Sequence, residues 1–444
     1  MLTKSKYNYF FKRNDSTWGC FNTLTGSLIL LNDQEKKAFD FIDYDPAAFD
    51  IKQLSLLEEF GFLIEEDFDE QALIDFSRKK RVYLNNAAYF RILTTTKCNA
   101  RCYYCYENGL NINSMTLETA EYVKKFVLKN KSLKKLYIHW FGGEPLENIE
   151  IIDFVMPALI EEFKRSNCIM HVMITSNASL LTPEIVRKAK YEWQVETFQI
   201  TIDDLGVEYD KVKKYISISN AFEKVLSNIK LLLEIGIKIN LRINFRENEV
   251  NKIDRVTRFF LEKYITYYNA GLLEFFPGPI FDVSSNCKLC SAYNKNNNKT
   301  VYANKIIEDI CLEKSLKINS NFFNVSFKAG QCYACHFNSF VIDPLGNLFK
   351  CSLTLNDSKA CIGSVKNGII PNTEYFKWVN AELPEKCYKC LFLPLCQGGC
   401  KAGYLGYVEH HCNNLISELN EYLEYKIVHQ NRFSLQDKSN EPIL

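Results

Sequence analysis

The stretch 88–109, AYFRILTTTKCNARCYYCYENG, decides how this chain is read. Its first eight residues are aromatic, β-branched or apolar enough to form a strand, and a polar loop follows that holds Cys98, Cys102 and Cys105. Three thiolates on such a loop converge at the strand's carboxyl end. Thiolate is the soft, anionic ligand that iron–sulfur clusters take, and three ligands leave one iron of a four-iron cluster open for a substrate or cofactor. The same residues also permit a zinc site lacking its fourth ligand, or three buried structural cysteines.

Outward from this loop, residues 88–276 alternate short strand-like runs with amphipathic helical patterns, the signature of βα units about a parallel sheet. The expected strands are AYFRILTT (88–95), KLYIHWF (135–141), IMHVMIT (169–175), VETFQITI (195–202), IKINLRINF (237–245) and LLEFF (272–276). Helices are expected around 115–130, 148–165, 182–190, 218–235 and 251–263. Right-handed crossovers then put a site at the carboxyl edge. Six units are too few for a closed eight-stranded barrel, so the fold class is α/β, an open partial (β/α)6 barrel over 86–280 whose mouth needs a cover.

Residues 1–85 read as a small winged-helix-like α+β domain, from the alternation around SLILL (27–31), a helix starting at Asp33 and another through LSLLEEFGFL. Segment 281–330 reads as a linker, because FDVSSNCKLCSAYNKNNNKT (281–300) is polar and rich in Asn and Lys. A cysteine-rich iron–sulfur domain (331–415) and a C-terminal helix and tail (416–444) complete the chain.

Composition narrows the function. At 444 residues and 47% hydrophobic content there is core for several domains, and 54 Lys plus Arg against 53 Asp plus Glu advertise neither a nucleic-acid nor an acidic-membrane surface. MLTKSKYNYFFKRND (1–15) lacks the apolar stretch of a signal peptide, and no run of about 18 apolar residues follows. A cytoplasmic setting is expected, where 17 cysteines are metal ligands rather than a disulfide framework. Cys20 and Cys168 have no clustered partner and read as small core residues, and the six histidines show no HExxH spacing.

Cys98-x3-Cys102-x2-Cys105 after the first strand resembles the defining motif of the radical S-adenosylmethionine (SAM) superfamily, over roughly residues 88–280, and Tyr104 stands where that family carries an aromatic residue. The resemblance implies that SAM chelates the open iron, and that reduction cleaves it to methionine and a 5'-deoxyadenosyl radical that abstracts hydrogen from substrate. Gly142-Gly143-Glu144-Pro145 ends the second strand as a similar motif does in the family. Alone it would be an ordinary turn. Here the glycines would let backbone approach the cofactor, and Glu144 would accept hydrogen bonds from an ammonium group. Ser176-Asn177-Ala178-Ser179 resembles the family's Thr-Asn-Gly-Thr and makes Asn177 a cofactor contact. Thr201-Ile202-Asp203-Asp204 resembles Ser-Leu-Asp-Gly. Lys213 falls where relatives carry Arg, losing bidentate geometry, with Arg242 as the alternative clamp. Each has an equally good reading as a solvated strand-end residue.

Cys387-x2-Cys390-x5-Cys396-x3-Cys400, then Cys412, preceded by Cys332 and Gly346-x4-Cys351, resembles the SPASM domain of peptide- and protein-modifying radical SAM enzymes, over roughly 330–415. The resemblance implies two auxiliary [4Fe-4S] clusters, three in all. One is held by Cys387, Cys390, Cys396 and Cys412. The other takes Cys332, Cys351 and Cys400, with Cys335, Cys311, Cys287 or Cys290 as fourth ligand, or an open position. Zinc sites are the competing reading. IDPLG is a good hairpin turn, placing Cys332 and Cys351 at opposite ends of a β-hairpin, with Asp343 in the turn. Ser352 replaces the Asp that sulfatase-maturing relatives carry after this cysteine.

The family resemblance implies a maturase that crosslinks a ribosomally made precursor peptide through a thioether or carbon–carbon bond, served by a flavodoxin- or ferredoxin-type reductant. Residues 1–85 would capture a leader peptide by strand addition. The alternatives are a sulfatase-maturing protein oxidase and a non-catalytic zinc or iron–sulfur scaffold.

Overall fold

Five short strands precede the candidate barrel in this computed structural model, which describes residues 2–280, 299–318, 332–407 and 415–428 apart from positions 14, 44, 85, 106, 109 and 131. β1 (Leu2–Lys4), β2 (Asn8–Lys12), β3 (Trp18–Asn22), β4 (Leu28–Leu31) and β5 (Leu63–Glu65) form two antiparallel sheets, β1–β5 and β2–β3–β4. Helices α1 (Asp33–Asp40), α2 (Ile51–Glu59) and α3 (Glu70–Tyr83) start where Asn32, Asp50 and Asp69 accept from the first turn's backbone N–H groups. Cys20 is buried here among Phe39, Phe62 and Leu63.

Six parallel strands follow, adjacent in space in sequence order: β6 (Ala87–Thr95), β7 (Lys135–Gly142), β8 (Ile169–Ser176), β9 (Thr197–Ile202), β10 (Lys238–Phe245) and β11 (Leu273–Pro279). α4 (Leu117–Leu128), α5 (Ile149–Arg165), α6 (Pro183–Tyr191), α7 (Gly206–Lys213), α8 (Ala221–Glu234) and α9 (Lys252–Asn269) fall between them, α7 being an addition to the expected five. Parallel strands covered on both faces read as continuous apolar runs. These alternate instead. Phe90, Ile138, Ile174, Ile200 and Leu241 join one core with the helices, while Arg91, His139, Thr175, Gln199 and Arg242 lie half-buried on the opposite, inner face.

The expected linker 281–330 is corrected in part. Residues 299–313 form α10 (Lys299–Glu313), whose Ala303, Ile307, Ile310 and Cys311 enter that same core. The 303/307/310/311 stripe has helical spacing, so this helix follows β11 as a sixth βα unit. Cys287 and Cys290 lie outside the described residues.

The expected hairpin forms as β12 (Ser339–Ile342) and β13 (Asn347–Phe349), with Asp343 Oδ1 accepting from the N–H of Leu345 (3.0 Å) and Asn347 (2.8 Å). Cys332 and Cys351 do not sit at opposite ends of it. Antiparallel pairing returns the chain, so both flank its open end, where Ser352 N donates to Tyr333 OH at 3.1 Å. β12 pairs parallel with the free side of β6, and β14 (Gly363–Ser364) and β15 (Gly368–Ile369) extend the sheet to ten strands.

The N-terminal unit docks on the cysteine-rich region. Phe11 and Phe21 pack with Leu395 and with Leu419, Tyr422 and Leu423 of the helix Leu415–Val428, while Tyr7 and Leu24 pack with Leu383, Cys387 and Leu393. Among the described residues no helix is long and apolar enough to cross a membrane. Because Phe11 is shared by sheet and helix, Phe11→Ala is expected to cost about 3–5 kcal/mol. Chemical denaturation checks this, and a loss below about 1 kcal/mol would contradict the packing.

Candidate active site

The three-cysteine loop leaves the carboxyl end of β6 and is anchored from two sides. Arg101 N donates to Lys213 O at the end of α7 (2.8 Å), and Cys105 N donates to Cys102 O (3.2 Å). All three thiols are half-buried. Burial, then Glu144, pushes Cys98 up to about 12, and burial, then Glu107, pushes Cys105 up to about 11. These thiols therefore hold their protons unless a cationic group displaces them. Among the described residues no three His, Cys, Asp or Glu side chains gather closely enough to hold a single metal ion. A four-iron cluster sets its cysteine sulfurs at separate corners, farther apart than ligands that share one ion.

The glycines of the second motif permit a close backbone approach. A Cβ on Gly142 would lie 2.1 Å from Thr95 O, and one on Gly143 would lie 2.4 Å from Lys97 O. What they approach is the backbone entering the cysteine loop. Gly143 N donates to Thr95 O (3.0 Å) and Glu144 N to Lys97 O (2.9 Å), so β7 is stitched to the segment that presents Cys98. Glu144 is likewise turned inward. It is fully buried and accepts from Ser176 Oγ (2.8 Å), Asn177 N (2.7 Å) and Leu146 N (3.2 Å).

Asn177 bridges the motifs: its Nδ2 donates to Asn99 Oδ1 (2.8 Å) and lies 3.9 Å from Cys98 Sγ. Tyr104 and Lys213 meet at Asp203. Tyr104 OH donates to Asp203 Oδ2 (2.9 Å), Lys213 Nζ pairs with the same oxygen (2.9 Å), and Asn244 Nδ2 donates to Oδ1 (3.0 Å). Lys213 is 3% exposed. Its ammonium pairs with Asp203, which offsets the cost of burying the charge there. Thr201 and Arg242 face each other in register on β9 and β10, and Arg242 Nε donates to Asn244 Oδ1 (2.9 Å). Sequence reasoning missed Ser176, Asn99 and Asn244. Their only signal was position at strand ends beside the motifs.

Four C-terminal cysteines come together. Cys332 hydrogen-bonds Cys335, which holds Cys335 below its ordinary value and raises Cys332, and Lys401 hydrogen-bonds Cys335 as well. Cys351 is raised by burial, then by the neighbouring Cys400. Cys311 stands apart, buried in α10 with its sulfur 3.1 Å from Tyr268 OH. Cys387 N donates to Pro384 O (2.8 Å), Cys390 N donates to Cys387 O (3.1 Å), and left-handed residues 397–399 turn the chain between Cys396 and Cys400. Cys412 lies outside the described residues.

Two strand-end motifs now clamp a three-cysteine loop at the carboxyl edge of a parallel sheet. Residues 92–258 match the sequence profile of the Radical SAM superfamily. The protein is an enzyme. Radical SAM cyclopropyl synthase TigE of Paramaledivibacter caminithermalis is 22% identical across 94% of this chain and 92% of its own length. A probable GTP 3',8-cyclase of Methanococcus maripaludis is 29% identical over 35% of this chain, which spans 48% of that relative. Among solved structures, anSMEcpe with bound AdoMet matches at TM-score 0.58 and 17% identity, covering 77% of this chain and 97% of its own. Streptococcus suis SuiB bound to precursor peptide SuiA matches at 0.54 and 15%, covering 93% and 99%. These structural likenesses show the fold alone.

Burial, opposed by the three hydrogen bonds, raises Glu144 to about 7. The folded chain binds this proton more tightly than the unfolded chain, so the contribution to stability is full below the unfolded value and is lost as pH rises through about 7, an effect of about 3 kcal/mol. Glu144→Gln should flatten that decline in the apoprotein, read as urea midpoints at about pH 4 and about pH 8. An unchanged slope would exclude Glu144 as its source.

Proposed function

We propose that this enzyme is a radical SAM maturase that modifies a ribosomally synthesised precursor peptide, forming a thioether or carbon–carbon crosslink. The observation that carries the reading is the joining of the two cysteine regions: β12, between Cys335 and Cys351, is hydrogen-bonded to β6, the strand that leads to Cys98. The sheet then continues the partial barrel, and a substrate on its inner face lies between them.

In this reading Cys98, Cys102 and Cys105 hold the SAM cluster. Cys332, Cys335, Cys351 and Cys400 hold one auxiliary cluster, and Cys387, Cys390, Cys396 and Cys412 the other, as in a SPASM domain. Cys335 is the fourth ligand because it hydrogen-bonds Cys332, while Cys311 is occupied elsewhere. With SAM bound, the first cluster supplies a 5'-deoxyadenosyl radical that takes a hydrogen atom from substrate. Asn177 and the half-buried backbone at Gly142 and Gly143 orient the cofactor, and half-buried Thr201, Arg242 and His139 line the substrate face. The N-terminal unit acts as a winged-helix-like leader-recognition element, with β4 as an edge strand that pairs on one side with β3. SuiB, solved with its precursor peptide, covers 93% of this chain and supports a peptide substrate. A flavodoxin- or ferredoxin-type protein is the reductant, in the cytoplasm.

A sulfatase-maturing oxidase is less well supported, because Ser352 accepts from Arg91 Nη1 (2.9 Å) where a carboxylate base would stand. Anaerobically reconstituted protein should contain about twelve irons with matching sulfide, and should release 5'-deoxyadenosine with SAM and dithionite. Cys98→Ala should lose that product and about four irons. Zinc without sulfide would overturn the reading.

A further inference from the structure

Arg91 lies on the inner face of β6 and reaches from the barrel to the C-terminal cysteines. Its Nη1 donates to Ser352 Oγ (2.9 Å) and to Tyr333 OH (3.3 Å), the residues next to Cys351 and Cys332. The guanidinium sits 5.0 Å from the centre of the Phe141 ring and 4.7 Å from that of Tyr333. Its Nε donates to His139 Nδ1 (3.2 Å), leaving His139 Nε2–H for Thr175 Oγ1 (2.8 Å). Burial, then Arg91, keeps His139 well below its ordinary pKa, so this partner is neutral. The cation is held by neutral groups and aromatic faces.

Two further cations border the same four cysteines. Lys350, fully buried and next to Cys351, donates to His336 O (2.5 Å) and Ser339 O (2.8 Å). Lys401, 2% exposed and next to Cys400, hydrogen-bonds Cys335. Among the described residues no carboxylate pairs with these three cations, two of them buried and one half-buried, and their convergence suits a resident anion. The Cys98 loop is the reverse. There the carboxylates Glu144 and Glu107 act on the thiols, and Lys213 is neutralised by Asp203.

A cysteine-ligated [4Fe-4S] cluster is net negative and gains one further unit on reduction, so nearby cations raise its potential and nearby carboxylates lower it. We propose that Arg91, assisted by Lys401 and Lys350, raises the reduction potential of the cluster held by Cys332, Cys335, Cys351 and Cys400 above that of the cluster at the Cys98 loop. On reduction by a flavodoxin- or ferredoxin-type donor that cluster would take up one electron, its core passing from 2+ to 1+ with the thiolate ligands still deprotonated. Arg91 is a positioning residue for that charge, and it couples the electron store to the substrate face through His139 and Thr175. The proposal rests on the cluster ligands assigned above.

The test is a potentiometric titration of reconstituted holoenzyme with dithionite, followed by EPR. Cys351→Ala identifies the signal, since that variant should lack it and about four irons. Arg91→Gln should move this one midpoint to more negative potential, the ratio of reduced to oxidised cluster falling about tenfold at the wild-type midpoint, as for a unit charge ~10 Å away in a partly buried site. Lys401→Met should act in the same direction, and Arg91→Lys should stay near wild type. With iron and sulfide at wild-type levels, unmoved midpoints in both charge-removing variants would overturn the proposal. So would equal shifts in Arg91→Lys and Arg91→Gln, which would mark a packing role. Full iron retention by Cys351→Ala would instead remove the ligand assignment on which it stands.

Discussion

The close passage of Gly142 and Gly143 over the carbonyls of Thr95 and Lys97 is the contact on which the rest of the site depends. Neither position has room for a Cβ, and backbone hydrogen bonds from Gly143 and Glu144 fix the segment that delivers Cys98. Because Glu144 then turns inward to Ser176 and Asn177, the ends of β6, β7 and β8 become one hydrogen-bonded block. The third cysteine is tied down separately, through Tyr104 to the Asp203 and Lys213 pair. A loop that must present three ligands is thus rigid before any ligand binds, which is what a precise metal constellation requires.

The sheet owes its legibility in the sequence to apolar residues at alternate positions on each strand, a pattern set by burial against helices and readable without knowing the partners. α10 escaped notice because the polar composition of 281–300 masked the stripe that begins at Ala303. The hairpin at Asp343 was readable from its turn chemistry, but its attachment to β6 was not. Strand pairing depends on which edge is free, and no local pattern records that. The cysteines were legible by spacing, and their surroundings needed the fold, which sets Cys311 in α10 against Tyr268 and Cys335 beside Cys332.

Charged residues were the least legible. Lys213 and Glu144 look alike in sequence as strand-end groups free to bind a ligand, and the fold gives both of them partners within the protein. Arg91 looked like a strand residue on an amphipathic face and proved to bridge two regions more than 240 residues apart. Whether a buried charge serves the fold or a ligand is decided by its partners. Lys213 has a carboxylate; Arg91 has hydroxyls, a neutral histidine and two rings.

The position of the N-terminal unit follows from the same cysteine-rich region. Tyr7 and Leu24 pack beside Cys387, Thr23 Oγ1 donates to Leu391 O (2.6 Å), and Phe11 and Phe21 rest on the helix Leu415–Val428, which reaches α10 through Tyr425 and Asp309 (2.8 Å). The short helices that carry Cys387 and Cys396 are four residues each, too short to be stable alone. Metal ligation in such a region is folding free energy. If Cys387, Cys390 and Cys396 hold iron, the cluster also orders the surface against which the N-terminal unit is packed, so a peptide captured by that unit would be presented only by protein whose C-terminal cysteines are loaded.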